Sequence, residues 1–187
     1  MLILKILFEW RSIIKNFKKV LIANRGEIAI RIIRACHELG IRTVAIYSYE
    51  DRYALFRTKS DESYLIGKNK GPIEAYLGID EIIGLALKKG VDAIHPGYGF
   101  LAENADFSAK CEKSGITFIG PTAEMINNLG DKIQSKIVAK SVNVPTIPGV
   151  ERPIKSDEEA IEFARACGFP IMLKASAGGG GRGMRIV

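Results

Sequence analysis

Lys19-Val20-Leu21-Ile22-Ala23-Asn24-Arg25-Gly26-Glu27-Ile28-Ala29 is the stretch from which the fold is read. Residues 20–23 form an apolar run of strand length, Asn24-Arg25-Gly26 is a turn, and residues 27–39 carry a helical period that Gly40 closes. The inward face of that helix is expected to hold Ile28, Ile32, Ala35, Cys36 and Leu39. Arg31, Arg34 and Glu38 share another face, and Arg34 and Glu38 stand at i, i+4, where the plainest reading is a solvated ion pair. A second strand over residues 43–47 completes a strand-helix-strand unit, which should be right-handed.

The alternation continues outward from this unit. Residues 62–66 read as a strand, residues 79–89 as an amphipathic helix capped by Gly90, and residues 91–94 as a strand. A helix around residues 104–114 and a strand over residues 117–119 follow. The expected fold class is therefore α/β, a doubly wound parallel sheet. Its unusual residues, Asn24-Arg25-Gly26, His95 to Gly99 and Gly120-Pro121, all follow the carboxyl ends of strands, the edge at which such sheets bind ligands.

Gly97-Tyr98-Gly99-Phe100-Leu101-Ala102 has the form G-x-G-x-x-A of a dinucleotide fingerprint. The acidic residue that should end the next strand is missing, because that strand runs into Phe118-Ile119-Gly120-Pro121. Pro96, Tyr98 and Phe100 suit a packed corner better than a pyrophosphate turn, and His95 reads as a structural histidine.

Beyond Pro121 the character changes, and a domain boundary is placed near residues 121–131. Two helices, residues 122–129 and 131–141, are separated by Gly130 and followed by a proline-rich stretch over residues 144–149. Ser156 caps a helix reaching about Cys167, with Glu159 completing a capping box. A strand over residues 171–174 then delivers Lys174-Ala175-Ser176-Ala177-Gly178-Gly179-Gly180-Gly181-Arg182-Gly183-Met184. This is a glycine hairpin between two strands. Each ordered glycine costs about 0.5–1 kcal/mol relative to alanine, so the loop needs a physical reason. Backbone N–H groups free of Cβ atoms can close around phosphate oxygens, with Lys174 and Arg182 supplying positive charge. A flexible linker is the plainer alternative, but linkers lack apolar strands on both sides. A Walker A loop is excluded because Met184-Arg185 follows the last glycine, and a Rossmann fingerprint because a strand follows it.

Composition narrows the function further. The net charge of +6 concentrates in residues 1–19, where five cations face one anion and leave +2 for the remainder, so a nucleic-acid-binding face is not expected. Cys36, Cys111 and Cys167 are too few and too widely spaced for a disulfide framework or a zinc site, which points to a reducing, cytoplasmic setting. Residues 1–17 align Ile3, Leu7, Trp10, Ile14 and Phe17 on one helical stripe and are expected to be an amphipathic extension outside the fold. Lys5 and Glu9 interrupt the apolar run, which disfavours a signal peptide, and the run is too short to span a membrane; a transit peptide or a membrane-surface helix stands as the lesser alternative.

Ile22-Ala23-Asn24-Arg25-Gly26-Glu27-Ile28-Ala29, His95-Pro96-Gly97-Tyr98-Gly99-Phe100-Leu101-Ala102-Glu103-Asn104, Phe118-Ile119-Gly120-Pro121, Gly130-Asp131-Lys132 and residues 174–184 resemble, in order and spacing, the amino-terminal part of biotin carboxylase. The resemblance covers residues 19–187. Residues 1–17, the amphipathic extension, have no counterpart in it, and it implies a pre-ATP-grasp α/β domain over residues 18–128 and the beginning of an ATP-grasp domain over residues 129–187. Members of the family are ligases that use MgATP and bicarbonate to form carboxyphosphate and carboxylate biotin. By position, Lys132 and Lys174 resemble the lysines that hold the ATP phosphates, and Gly178, Gly179, Gly180, Gly181, Arg182, Gly183 and Met184 the lid over the triphosphate. Tyr98 and Gly99 match the neighbourhood of the biotin site, and Arg34 and Glu38 the homodimer interface. A biotinyl carrier domain is the implied protein partner.

Residues 50–59 and 71–77 resemble the pyruvate carboxylases more than the stand-alone subunit of acetyl-CoA carboxylase. The family's magnesium-binding glutamates, bicarbonate-binding arginine and general base would lie beyond Val187, so no metal ligand or catalytic residue is assigned and the piece alone is expected to be inactive. Two other readings stand beside this one: another ATP-grasp ligase of the carbamoyl-phosphate synthase type, and a non-catalytic dinucleotide-binding module.

Overall fold

The structure, a computed structural model, describes residues 16–147, 149–150, 152–174 and 183–187. The amphipathic stripe up to residue 15 and the loop positions Gly178 to Arg182 lie outside the described residues. The chain divides into two compact units, Met1–Ile126 and Asn127–Val187.

The first unit is built on five parallel strands, β1 (Lys19–Ile22), β2 (Arg42–Tyr47), β3 (Glu62–Leu65), β4 (Ala93–His95) and β5 (Thr117–Phe118), in the order β3-β2-β1-β4-β5. Register is set by pairs such as Leu21 with Val44 and Leu21 with Ile94. Side chains alternate across each strand, and both faces are buried. Val20, Ile22, Ala45 and Ala93 pack on one side with helix α1 (Gly26–Glu38) and with Phe56 of the short helix α2 (Leu55–Lys59). Leu21, Ala23, Val44, Ile46 and Ile94 pack on the other with α3 (Ile79–Lys89) and α4 (Ala105–Lys113). Two cores back to back explain why the strands read as unbroken apolar runs. Full burial of each Leu or Ile in them stabilises the fold by about 1.5–3 kcal/mol.

Three local expectations change. The buried stripe of α1 is Ala29, Ile32, Ile33 and Cys36, whereas Ala35 is exposed and Leu39 is 75% exposed. Ile32 and Cys36 belong to both candidate stripes, and the helix turns toward Ala29 and Ile33 because these meet the small residues Ala45 and Ala93 of the sheet. Strand β4 starts at Ala93 instead of residue 91, since the Val91 N–H closes the end of α3 on Ala86 O at 3.2 Å. The Asp92 carboxylate turns to accept the N–H groups of Lys18 and Lys19, at 2.7 and 2.8 Å, and so anchors the start of β1. Phe17, assigned to the extension, packs against the α1 side of the core.

The second unit begins within α5 (Ala123–Gly130) and holds α6 (Lys132–Ser141), α7 (Asp157–Cys167) and an antiparallel pair, β6 (Met172–Lys174) and β7 (Met184–Ile186). Asp131 caps α6 by accepting the N–H groups of Ile133 and Gln134, at 2.9 and 2.8 Å. Ser156 caps α7 by accepting the Glu159 N–H at 3.3 Å. The Glu159 carboxylate reaches past Ser156 to the Lys155 N–H at 3.1 Å, so the expected capping box closes one residue earlier than its usual form. The two strands that flank the glycine stretch pair antiparallel, with Lys174 opposite Met184.

Candidate functional site

Strand order reverses between β1 and β4, and the crevice beyond the carboxyl ends of these neighbours is the place an open α/β sheet offers a ligand. It is an open depression of about 650 Å³. Arg25 comes to it from the β1–α1 turn, Glu27 from the first turn of α1, Tyr98 and Phe100 from the loop after β4, and Ile73 and Leu77 from the segment before α3.

Charge at this crevice is arranged from below. Tyr76, fully buried, donates its hydroxyl to Asp51 Oδ2 at 2.7 Å and accepts the Ser48 N–H at 3.3 Å. Burial first, and then the bond to Asp51, push the Tyr76 phenol well above its ordinary range, so it remains a donor. The same Asp51 oxygen pairs with Arg25 Nε at 3.1 Å and fixes the guanidinium at the crevice. Sequence reasoning missed this support. Asp51 lies in a 3-10 turn, Glu50–Tyr53, and Tyr76 in another, Glu74–Leu77, both too short to show a period.

Tyr98 departs from the packed corner expected of it. Gly97 and Gly99 have φ of +67° and +65°, and these left-handed residues turn the ring outward until Tyr98 is 60% exposed. Its hydroxyl donates to Glu27 Oε1 at 2.9 Å, and that bond raises the phenol above its usual range. Phe100 does pack inward, with its ring centroid 5.4 Å from that of Tyr76. His95 is structural: its Nδ1 accepts the Gly97 N–H at 3.0 Å, and burial lowers its pKa. The G-x-G-x-x-A stretch does not open a helix, because α4 begins only at Ala105 under an Asn104 cap. Space at Gly97 is taken by Asn24, whose Nδ2 lies 2.7 Å from where a Cβ would stand. That glycine makes room for a side chain of its own chain.

The other residues singled out in the sequence stand on other elements. Arg34 and Glu38 form the expected ion pair on α1, 3.0 Å between Nε and Oε1, with side chains 81% and 65% exposed. Lys132 occupies the first position of α6, directly after the Asp131 cap. Lys174 ends β6, is exposed, and has no ion-pair partner among the described residues. Gly183, with φ of +75°, leads into β7, whose first residue is Met184. Among the described residues, no group of three or more His, Cys, Asp or Glu side chains could hold a metal ion, and no helix is long and apolar enough to cross a membrane.

Residues 16–126 match the family described as biotin carboxylase, N-terminal domain, and residues 131–187 the family described as carbamoyl-phosphate synthase L chain, ATP binding domain. The chain belongs to the biotin carboxylase family. It is 55% identical to mouse mitochondrial pyruvate carboxylase and 57% identical to that of Staphylococcus aureus, each over 92% of this chain. Among solved structures it is similar to the biotin carboxylase domain of Hydrogenobacter thermophilus 2-oxoglutarate carboxylase, a dimer in complex with MgADP, ADP and bicarbonate, with a TM-score of 0.88, 55% identity and 92% of this chain covered. Rhizobium etli pyruvate carboxylase matches with a TM-score of 0.83 and 50% identity over 92% of this chain. The chain spans 15% of the length of those mouse and S. aureus carboxylases, 38% of the H. thermophilus chain and 16% of the R. etli chain. The first family match covers the whole sheet unit, and relatives over nearly the entire chain are pyruvate carboxylases, so neither a carbamoyl-phosphate synthase type nor a dinucleotide-binding module is favoured.

Proposed function

We propose that this chain is the amino-terminal part of the biotin carboxylase unit of a pyruvate carboxylase-like ligase, which uses MgATP and bicarbonate to carboxylate biotin. The observation that carries the reading is the succession of the two family matches, sheet unit first and ATP-binding unit second, within a chain 55% identical to pyruvate carboxylases over 92% of its length. We assign residues 18–128 to the pre-ATP-grasp domain and residues 129–187 to the opening of the ATP-grasp domain.

The second unit fits a nucleotide phosphate chain. Pairing of Lys174 with Met184 draws the two ends of the glycine loop together, and the Lys174 ammonium stands exposed at its mouth. In this reading Lys174 and Lys132 offset phosphate charge, and Gly178, Gly179, Gly180, Gly181, Arg182, Gly183 and Met184 cover the triphosphate. Bound MgATP supplies the phosphoryl group that activates bicarbonate. The crevice at Tyr98 and Gly99 takes the biotin side, and its apolar walls, Ile28, Ile73 and Leu77, suit a ring that must be held away from water. A biotinyl carrier domain delivers that ring. Arg34 and Glu38 face a second copy of the enzyme. The three cysteines are free, in keeping with a reducing, cytoplasmic setting.

ATP hydrolysis by the carboxylase that carries this chain, measured with bicarbonate and with or without free biotin, tests the reading. Biotin-dependent release of ADP is expected; ADP release indifferent to biotin overturns it.

A further inference from the structure

The loop bearing Tyr98 is held by one buried side chain. Asn24 is 2% exposed and uses every polar atom it has. Its Nδ2 donates to Pro96 O at 2.6 Å and to Tyr98 O at 2.9 Å, while its Oδ1 accepts the Arg25 N–H at 2.9 Å. The side chain therefore joins the turn after β1 to the loop after β4, across the boundary where strand order reverses. Chemistry restricts the position. Both loop partners are carbonyls, so two N–H donors are required, and a carboxylate there would face two acceptors. The partner position is restricted as well, because a Cβ at Gly97 would stand 2.7 Å from Asn24 Nδ2.

What this latch holds is a loop in an uncommon conformation, in which Gly97, Gly99 and Phe100 all have positive φ, the last at +47°. The result is an exposed tyrosine tied at both ends, its carbonyl to Asn24 and its hydroxyl to Glu27. Glu27 itself is steadied by Arg31, 3.9 Å away. A tyrosine so placed adds little to the core, and polar ties to its backbone carbonyl and to its exposed ring serve a ligand better than they serve the fold.

We infer that Asn24 and Glu27 are positioning residues that aim Tyr98 at a flat, largely apolar ring bearing a urea- or amide-like polar edge. The inference rests on the biotin-site reading of this crevice and names the groups that set its geometry.

Free biotin is the probe, in the carboxylase that carries this chain. Asn24→Ala is expected to raise the KM for free biotin about tenfold, the size of one or two lost hydrogen bonds, while the KM for ATP moves less than about twofold. Glu27→Ala is expected to raise the biotin KM about fivefold, and Glu27→Gln, which keeps an acceptor for the Tyr98 hydroxyl, to restore it to within about twofold. If Asn24→Ala does not fold, the Glu27 pair carries the test alone. Parallel rises in both KM values, or no rescue by Glu27→Gln, overturn the inference. Tyr98→Ala separates it from the reading beneath it. An unchanged biotin KM in Tyr98→Ala removes the crevice from biotin binding. A raised value there, with wild-type values in Asn24→Ala and Glu27→Ala, keeps the crevice and removes the positioning role.

Discussion

Asp61 accepts two hydrogen bonds from Thr43, one from its N–H and one from its hydroxyl, both 2.7 Å long and both to the same carboxylate oxygen. His37 Nε2 lies 3.1 Å from that oxygen. The contact ties the start of β2 to the residue before β3 at the amino-terminal edge of the sheet, opposite the crevice that Tyr98 lines. Burial alone would raise the carboxyl, but the Thr43 bonds and His37 outweigh it and hold Asp61 at about 2. A depressed carboxylate pKa means that the folded chain binds fewer protons than the unfolded one. Its contribution is therefore present above pH of about 4 and is lost as pH falls toward about 2. Asp61→Asn should lower stability at pH 7 by about 1 kcal/mol and flatten the decline between those pH values. Urea unfolding of the 187-residue chain at pH 7 and pH 3 checks this; equal losses at both pH values would remove Asp61 from the acid response.

Gly97→Ala meets two obstacles at once. The new Cβ would stand 2.7 Å from Asn24 Nδ2, and its φ of +67° disfavours any side chain. The left-handed conformation alone costs about 1–2 kcal/mol, and displacement of a buried amide adds about 1–3 kcal/mol. The substitution should lower the urea midpoint of the chain clearly, whereas Gly115→Ala, with φ of +72° but nothing within 4 Å, should show only the smaller backbone term. Equal effects at the two glycines would show that Asn24 yields freely.

The pattern of strands and long helices was legible because two buried faces demand continuous apolar runs and α1 and α3 repeat with a helical period. The loop chemistry was less so. Tyr98 was expected to pack with Phe100, yet the two part company because Gly97 and Gly99 set their directions, and backbone sign is not written in side-chain hydropathy. Asn24 is unusual in the sequence, but its role depends on β1 and β4 being neighbours, which brings Pro96 to it from 72 residues along the chain. The short helix α2 and the two 3-10 turns escaped periodicity altogether, and with them the Asp51–Tyr76 support for Arg25.

If Arg34 and Glu38 face a second copy, reversing one charge should disturb association without disturbing the fold. Both side chains are largely exposed, so the pair contributes little to stability. In Glu38→Arg, two guanidinium groups on one helix face would meet their symmetry mates, which disfavours a self-complementary interface. Sedimentation of the carboxylase should shift toward smaller species, with an unchanged unfolding midpoint for the 187-residue chain. Identical sedimentation of variant and wild type would detach this face from assembly.

Lys174→Gln tests the proposed phosphate contact. The register of β6 and β7 sets Lys174 opposite Met184, so residues 175–183 form the loop between them, and the lysine stands where that loop begins. An exposed lysine with no ion-pair partner among the described residues contributes little to folding, and its loss should change stability by no more than about 0.5 kcal/mol. Loss of a charge-assisted contact to phosphate costs about 1.5–3 kcal/mol, or about tenfold to a hundredfold in affinity. In the carboxylase carrying this chain, Lys174→Gln should therefore weaken ATP binding by that factor at an unchanged unfolding midpoint. The weakening should also shrink as salt is raised, because a contact of this kind is partly screened. Equilibrium ATP titration at low and high ionic strength checks both statements, and a variant with wild-type affinity at low salt would place Lys174 outside the phosphate site.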